Sequence, residues 1–345
     1  MENLLKKLIV ILALLLAPAS AFAHHGGVSL AFGPGSPIET NSPLTLPSGG
    51  FVTGLRVEQV DWKRYAERTD NATDFTFMNA NFSYGLTDAL MGTFIVPYYI
   101  KRQETFGTNE GMSDVKLQLT YGFHHDPGAG FSRNGAGDAA VSLESQKDRT
   151  WFALSAMMSI PNGDHEKTRP LDNGSPDTGM QPGFGAPAFT LSATAARAIG
   201  PVTLNAEVGA DIFMSRSGKD ANSPTGTRDF QYGSELKANL AGVYELYGNN
   251  NSFLSKLDGI LELNFLHLDH DRDSLIPGGT DMGSGGDILY LSPGLRFSFP
   301  ALQNANLGVL FKIPVWTQLN DTKVNAQGGE GTENFRMIST LSFYF

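Results

Sequence analysis

Phe335-Arg336-Met337-Ile338-Ser339-Thr340-Leu341-Ser342-Phe343-Tyr344-Phe345 is the stretch whose reading decides the fold. Side chains of an extended chain alternate with a period of two. Phe335, Met337, Leu341, Phe343 and Phe345 therefore share one face, and Asn334, Arg336, Thr340, Ser342 and Tyr344 share the other. A strand apolar on one side has two settings. In a soluble sheet the apolar face covers a core; in a membrane barrel it meets lipid while the polar face lines a lumen.

The opposite end of the sequence favours the second setting. Lys6 and Lys7 precede an apolar run from Leu8 to Leu16, and Pro18-Ala19-Ser20-Ala21-Phe22-Ala23 follows. A basic start, a short apolar stretch and small-x-small at Ala21-Phe22-Ala23 are the pattern of an export signal. The expectation is a signal peptide over 1–23 and a mature start at His24. The run is too short to span a bilayer as a helix, and no other segment approaches the roughly 20 apolar residues such a helix needs.

Composition narrows the classes further. The 345 residues include 39 Gly, 23 Phe and 10 Tyr but no Cys, which excludes a disulfide framework, a thiolate metal site and a Cys nucleophile. A formal net charge of −10 argues against a nucleic-acid partner, which calls for a basic patch. The length suits one barrel and does not require a second globular domain.

Twelve segments read as strands, at about 51–64, 73–85, 89–104, 110–125, 149–161, 183–198, 200–215, 229–246, 256–270, 284–299, 304–320 and 331–345. The fourth sets Val115, Leu117, Leu119, Tyr121 and Phe123 against Asp114, Lys116, Gln118, Thr120 and Gly122. The seventh sets Val202, Leu204, Ala206, Val208, Ala210, Ile212 and Met214 against Thr203, Asn205, Glu207 and Asp211. Connections alternate in length. Short Gly-, Asn- or Pro-rich turns fall at 85–88, 199–201, 247–255 and 300–303, and longer polar loops at 162–182, 216–228, 271–283 and 320–330. In an outer-membrane barrel the short set is periplasmic and the long set external. The stretch 126–148 breaks this rule, being long, Gly-rich and on the short-turn side. The fold expectation is an all-β transmembrane antiparallel barrel of about 12 strands over 51–345. Closure leaves no open edge facing lipid.

Residues 24–50 form a separate unit, rich in Gly, Pro and Ser, with Glu39 its one acid and no Lys or Arg. Without periodicity the segment is expected to be irregular. Two readings stay open: a free periplasmic lead-in, or a segment docked in the barrel mouth through Leu30, Phe32, Ile38, Leu44 and Leu46. Both 24–50 and 126–148 are candidates for plugging the lumen.

Extending the alternation assigns the inward charges. The bases are Arg56, Lys116, Lys237, Arg296, Lys312 and Arg336; the acids are Glu58, Asp114, Glu207, Asp211, Glu235 and Glu262. These twelve are the candidates for a translocation path. Equal numbers of each sign argue against the one-sign ring of a strongly ion-selective pore. The plainer reading is that most pair across strands, because buried charges need partners.

Several short motifs carry a resemblance. Tyr84-Gly85-Leu86-Thr87-Asp88, Gly111-Met112-Ser113-Asp114-Val115-Lys116, Ile160-Pro161-Asn162-Gly163-Asp164, Leu291-Ser292-Pro293-Gly294-Leu295 and Lys312-Ile313-Pro314-Val315 occur in that order before the aromatic terminus. Together they resemble the outer-membrane β-barrel transporter family named for the phenol meta-degradation pathway. The resemblance covers most of 51–345 and implies a conduit for small solutes, among them aromatic or otherwise hydrophobic compounds. The terminal strand resembles the closing strand of such barrels, which implies recognition by the outer-membrane insertion machinery. The implied partners are thus the lipid bilayer, that machinery and a small-molecule solute; no cofactor is implied.

Histidines supply the one metal hint. His24 and His25, with the α-amine of His24, could hold a divalent ion, while His267 and His270 flank Asp269 near Asp271 and Asp273. Three residues apart on a strand, His267 and His270 fall on opposite faces, and ordinary polar positions are the favoured reading. Two other functions compete with a conduit. A phospholipase-type barrel needs a strand-borne His beside a Ser nucleophile, and neither His267 nor His124 sits in such a segment. A structural or adhesive barrel would bind through long outer loops such as 162–182, whose charges more often simply solvate a loop.

Overall fold

The computed structural model describes residues 36–65, 71–135, 148–172, 177–221, 223–249, 251–299, 302, 305–320 and 331–345. The expected signal peptide, His24 and His25 lie outside the described residues. The strands are β1 (Phe51–Trp62), β2 (Ala72–Thr87), β3 (Leu90–Gln103), β4 (Gly107–Met112), β5 (Val115–Asp126), β6 (Gly130–Arg133), β7 (Thr150–Ile160), β8 (Ala188–Ile199), β9 (Val202–Phe213), β10 (Arg216–Lys219), β11 (Thr227–Gln231), β12 (Glu235–Gly248), β13 (Lys256–Leu268), β14 (Arg272–Asp273), β15 (Gly286–Phe299), β16 (Ala305–Leu319) and β17 (Glu333–Tyr344).

Twelve of these strands close a ring of antiparallel pairs: β1, β2, β3, β5, β7, β8, β9, β12, β13, β15, β16 and β17, with β17 returning to β1. Closure runs from Val52 opposite Tyr344 to Trp62 opposite Glu333. Each of the twelve expected segments contributes one barrel strand. Among the described residues no helix is long and apolar enough to cross a membrane; the chain crosses with strands.

The side-chain pattern is inverted relative to a soluble protein. Leu119 and Val208 are 53% and 58% exposed, whereas Glu58 and Glu262 are 0% exposed. Exposed leucines on neighbouring strands, including Leu191, Leu240 and Leu261, extend this band around the barrel. At the short-turn end Tyr84, Tyr244, Tyr247, Phe253 and Phe345 are also exposed. Aromatic rings there fit an interfacial girdle, where amphipathic rings sit between headgroups and acyl chains.

Three boundaries depart from the sequence reading. The strand expected over 183–198 begins at Ala188. The one expected over 229–246 begins at Glu235, and Thr227–Gln231 instead joins β10 and β14 in a separate three-stranded sheet. The strand expected over 110–125 is broken at Ser113-Asp114. There Tyr98 pairs with Met112 but Ile95 pairs with Lys116, so Val96-Pro97 faces three residues. Pro97 has no N–H to offer the ladder, and the extra residue is accommodated as a bulge. The bulge changes which parity points inward: Asn109 above it, Asp114 and Lys116 at and below it, are all buried.

The lumen wall is not uniformly polar. Ile338, on the polar face of the terminal strand, is fully buried with Ile38, Val243, Ile260 and Leu310. Near the opposite end Val60, Trp62, Phe75, Phe77, Tyr99, Ile288 and Tyr290 form an inward aromatic cluster around Met180. Both patches face a segment folded inside the barrel, which keeps water from them.

Candidate functional site: a plugged, mixed-charge lumen

The plug enters at the short-turn end. Gly49 N–H donates to Gly85 O (2.8 Å), and Gly85 N–H donates to Gly50 O (2.9 Å). A Cβ on Gly85 would sit 2.0 Å from the carbonyl oxygen of Pro47, so only glycine admits this approach. Thr45 Oγ1 donates to Asp88 O (2.7 Å) and Ser48 N–H to Asp88 Oδ1 (2.9 Å). Leu44 packs against Trp151 and Ala196, and Leu46 against Val52 and Met91.

Further in, the irregular backbone is gripped by inward charges. Glu262 accepts from the N–H groups of Ile38 (2.8 Å), Glu39 (2.9 Å) and Thr40 (2.8 Å), and from Thr40 Oγ1 (2.5 Å). Glu207 accepts from the N–H (2.9 Å) and side-chain amide (2.6 Å) of Asn41. Arg56 donates to Ile38 O (3.0 Å) and Arg296 to Pro37 O (2.5 Å). Buried backbone groups outside regular structure need partners, and these side chains supply them.

Glu39 is the point where charge meets charge. Its carboxylate takes Lys312 Nζ at 2.6 Å and Arg56 Nη2 at 2.5 Å. Burial alone would raise its pKa, but Lys312 and Arg56 hold the carboxyl well below the usual carboxylate range. Arg56 also donates to Glu58 (2.8 Å), which accepts from Arg336 (2.8 Å); Arg336 reaches Glu333 as well (2.5 Å).

The other expected lumen residues divide into two groups. Lys237 faces Asp211 at 3.4 Å, and Thr190 Oγ1 donates to the same carboxylate. Asp114 accepts from Gly163 N–H (2.9 Å) and Phe184 N–H (2.8 Å). It thereby pins both ends of the connection between β7 and β8, and Asn162 Oδ1 accepts from Val115 N–H (3.0 Å). Two motifs of the sequence, Gly111–Lys116 and Ile160–Asp164, are thus one latch. The latched connection carries Met180 into the aromatic cluster, and Lys101 Nζ donates to Gly179 O (2.9 Å). All twelve predicted charges point inward; most grip the plug, the latch or one another.

Between the plug and this latched connection, the cap, lies a cavity of about 90 Å³, lined by Glu39, Lys116, Asp211, Glu235, Lys237, Lys312 and Arg336, with Met157, Phe184 and Phe213 as apolar wall. Glu39, Lys101 and Glu333 were not among the sequence candidates. Glu39 was hidden in a segment without period. Glu333 lies on the inward parity only once the register shift at Asn334 of β17, opposite Asp61-Trp62, is known.

The histidines do not converge. His267 Nδ1 meets Asp287 at 2.7 Å and its Nε2 lies 3.4 Å from Asp269, while His270 Nδ1 lies 3.1 Å from the carbonyl oxygen of Asp281. His124 contacts Asn134 (3.3 Å), whose amide reaches Thr45 on the plug (3.2 Å). Among the described residues no three His, Asp or Glu side chains form a metal cluster. The early part of the 126–148 stretch is a hairpin of β5 with β6, and residues 136–147 of that plugging candidate lie outside the described residues.

No family model matches this chain, and no curated protein matches it in sequence. In structure it is similar to an outer membrane channel from Pseudomonas putida F1, with a TM-score of 0.58 and 12% identity, covering 88% of this chain and 98% of that one. The beta domain of the Bordetella autotransporter BrkA gives 0.42 at 10% identity, covering 86% and 100%. OmpF of Salmonella typhi gives 0.29 at 14% identity, covering 86% and 98%. With its closed antiparallel ring, lipid-type exterior and aromatic girdle, the chain has the fold of a bacterial outer-membrane β-barrel.

Proposed function

We propose that this barrel is a conduit for small solutes across the outer membrane, held closed at rest by residues 36–48. The observation that carries the reading is the docking of Ile38 to Asn41 on Glu262, Glu207, Arg56 and Lys312. A barrel that served only as an anchor could fill its lumen with wall side chains. Here wall charges instead grip a single irregular strand that enters through one mouth, an arrangement suited to release. Nearly balanced, mutually paired charges favour solutes other than simple ions. The similarity to the Pseudomonas channel and the motif resemblance to the phenol-pathway transporters support the same reading. The motif resemblance favours aromatic or hydrophobic cargo and assembly by the outer-membrane insertion machinery.

Liposome swelling tests the reading directly. Glu262→Ala removes four acceptor contacts to the plug and leaves its N–H groups unpaired, a loss of several kcal/mol at roughly 1–3 kcal/mol per orphaned group. The expected result is at least a fivefold faster uptake of a neutral pentose than in wild type. A variant that keeps the folded barrel's heat-modifiable gel mobility yet swells no faster would show that the docked segment does not limit passage.

A further inference from the structure

The cavity between plug and cap contains an ammonium group that has no counter-ion among the described residues. Lys116 is 7% exposed, lines the cavity, and makes no hydrogen bond or ion pair among the described residues. Its surroundings explain why. Asp114, two residues before Lys116 in the break ahead of β5, is turned by the bulge toward the latch and engages Gly163 and Phe184 with its two oxygens. Of the three acids on the wall, Asp211 is held by Lys237 and Thr190, Glu39 by Lys312 and Arg56, and Glu235 is itself engaged. Ser159, opposite Lys116 on β7, accepts through its Oγ from Ala188 N–H. A buried charge without a partner is costly, so a site that retains one is complementary to something of opposite sign.

From this geometry we infer that the cavity is a binding site for a small organic monocarboxylate, with Lys116 as its anchor. One free ammonium matches one negative charge, as a compact point charge with three donors. The polar groups nearby are already engaged: Asn239 donates to Glu207 and Asn264 to Asn239. A phosphate or sulfate, which needs many donors, is therefore poorly served. Met157, Phe184 and Phe213 supply an apolar wall for a hydrocarbon body. A volume of about 90 Å³ has room for roughly six to nine waters at about 10–15 Å³ each, the scale of a four-carbon acid. The inference deepens the conduit reading by naming the class of solute held on the way through.

The test is saturation-transfer NMR on the full chain in detergent micelles at pH 7, with butyrate, 1-butanol and butylammonium as probes. Butyrate is expected to show a saturable signal, weakened at least tenfold by Lys116→Met and by no more than about threefold by Lys116→Arg. The alcohol and the amine are expected to show none. Equal binding of butanol, unchanged butyrate binding in Lys116→Met, or full displacement of butyrate by an equal concentration of chloride would each overturn the inference. Should Lys116→Met fail to fold, wild-type protein labelled with ¹⁵N at lysine Nζ replaces it. One lysine resonance must then move with butyrate, and an unmoved spectrum overturns the site. Pentose swelling of Glu262→Ala reports on the conduit alone, so a failure of either claim is seen separately.

Discussion

The docked plug is expected to sense pH through Glu39. Burial acts to raise its carboxyl, and the facing Lys312 and Arg56 more than reverse that, leaving it well below its ordinary value of 4.5. A group lowered in the docked state contributes stability that is fully present above the undocked value and is lost as pH falls toward the docked one. Solute uptake by wild type is therefore expected to be flat from pH 8 to 5 and to rise only below about pH 4.5. Glu39→Gln removes the charge while leaving Lys312 buried against a neutral amide. Breaking a buried pair in this way costs roughly 3–5 kcal/mol. The variant should show raised uptake at neutral pH and lose the acid-induced rise. An acid-induced rise of wild-type size in Glu39→Gln would place the pH sensitivity on another group. Swelling rates measured across this pH range decide the matter. The sequence marks Glu39 as the one acid of 24–50 but cannot assign it a face, because its neighbours lack a period.

At the scale of the strand, alternation was legible wherever the ladder is regular. Val208 is 58% exposed and its neighbour Glu207 is 2% exposed, as a period of two requires on an inside-out barrel. Val208→Arg is expected to destabilise the barrel in phosphatidylcholine vesicles by about 2–4 kcal/mol, the range for arginine near the bilayer midplane. Val208→Leu should be neutral within error. Urea titration of tryptophan fluorescence reads both, and an arginine variant as stable as wild type would move β9 off the lipid face. Alternation misleads where the ladder is interrupted. The bulge opposite Pro97 re-aims Asp114 from the wall to the cap, which no pattern in 110–125 foretells. Ile338 and Phe77 are a second case. They are inward and apolar because Ile38 and Met180 cover them, and a sequence read one strand at a time cannot know that the lumen is filled.

On the proposed reading, the whole molecule has two closures in series. The plug is anchored from the short-turn end by Glu262 and Glu207, and the cap is latched at the far end by Asp114. The cavity between them is bounded by residues of both, Glu39 from the plug and Phe184 from the cap. Barriers in series add as resistances, so opening the smaller one changes flux little while the larger remains. Asp114→Ala orphans two buried N–H groups at roughly 1–3 kcal/mol each, which loosens the cap without touching the plug. If the plug dominates, Asp114→Ala alone should raise pentose uptake less than twofold, Glu262→Ala at least fivefold, and the pair by more than the product of the two. The last inequality follows because the cap becomes limiting only after the plug has gone. A double variant equal to Glu262→Ala would mean that the cap is no barrier and that Met180 and its aromatic cluster serve packing alone. A double variant whose gain over wild type is only the sum of the two single gains would mean that each closure gates a separate route through the barrel.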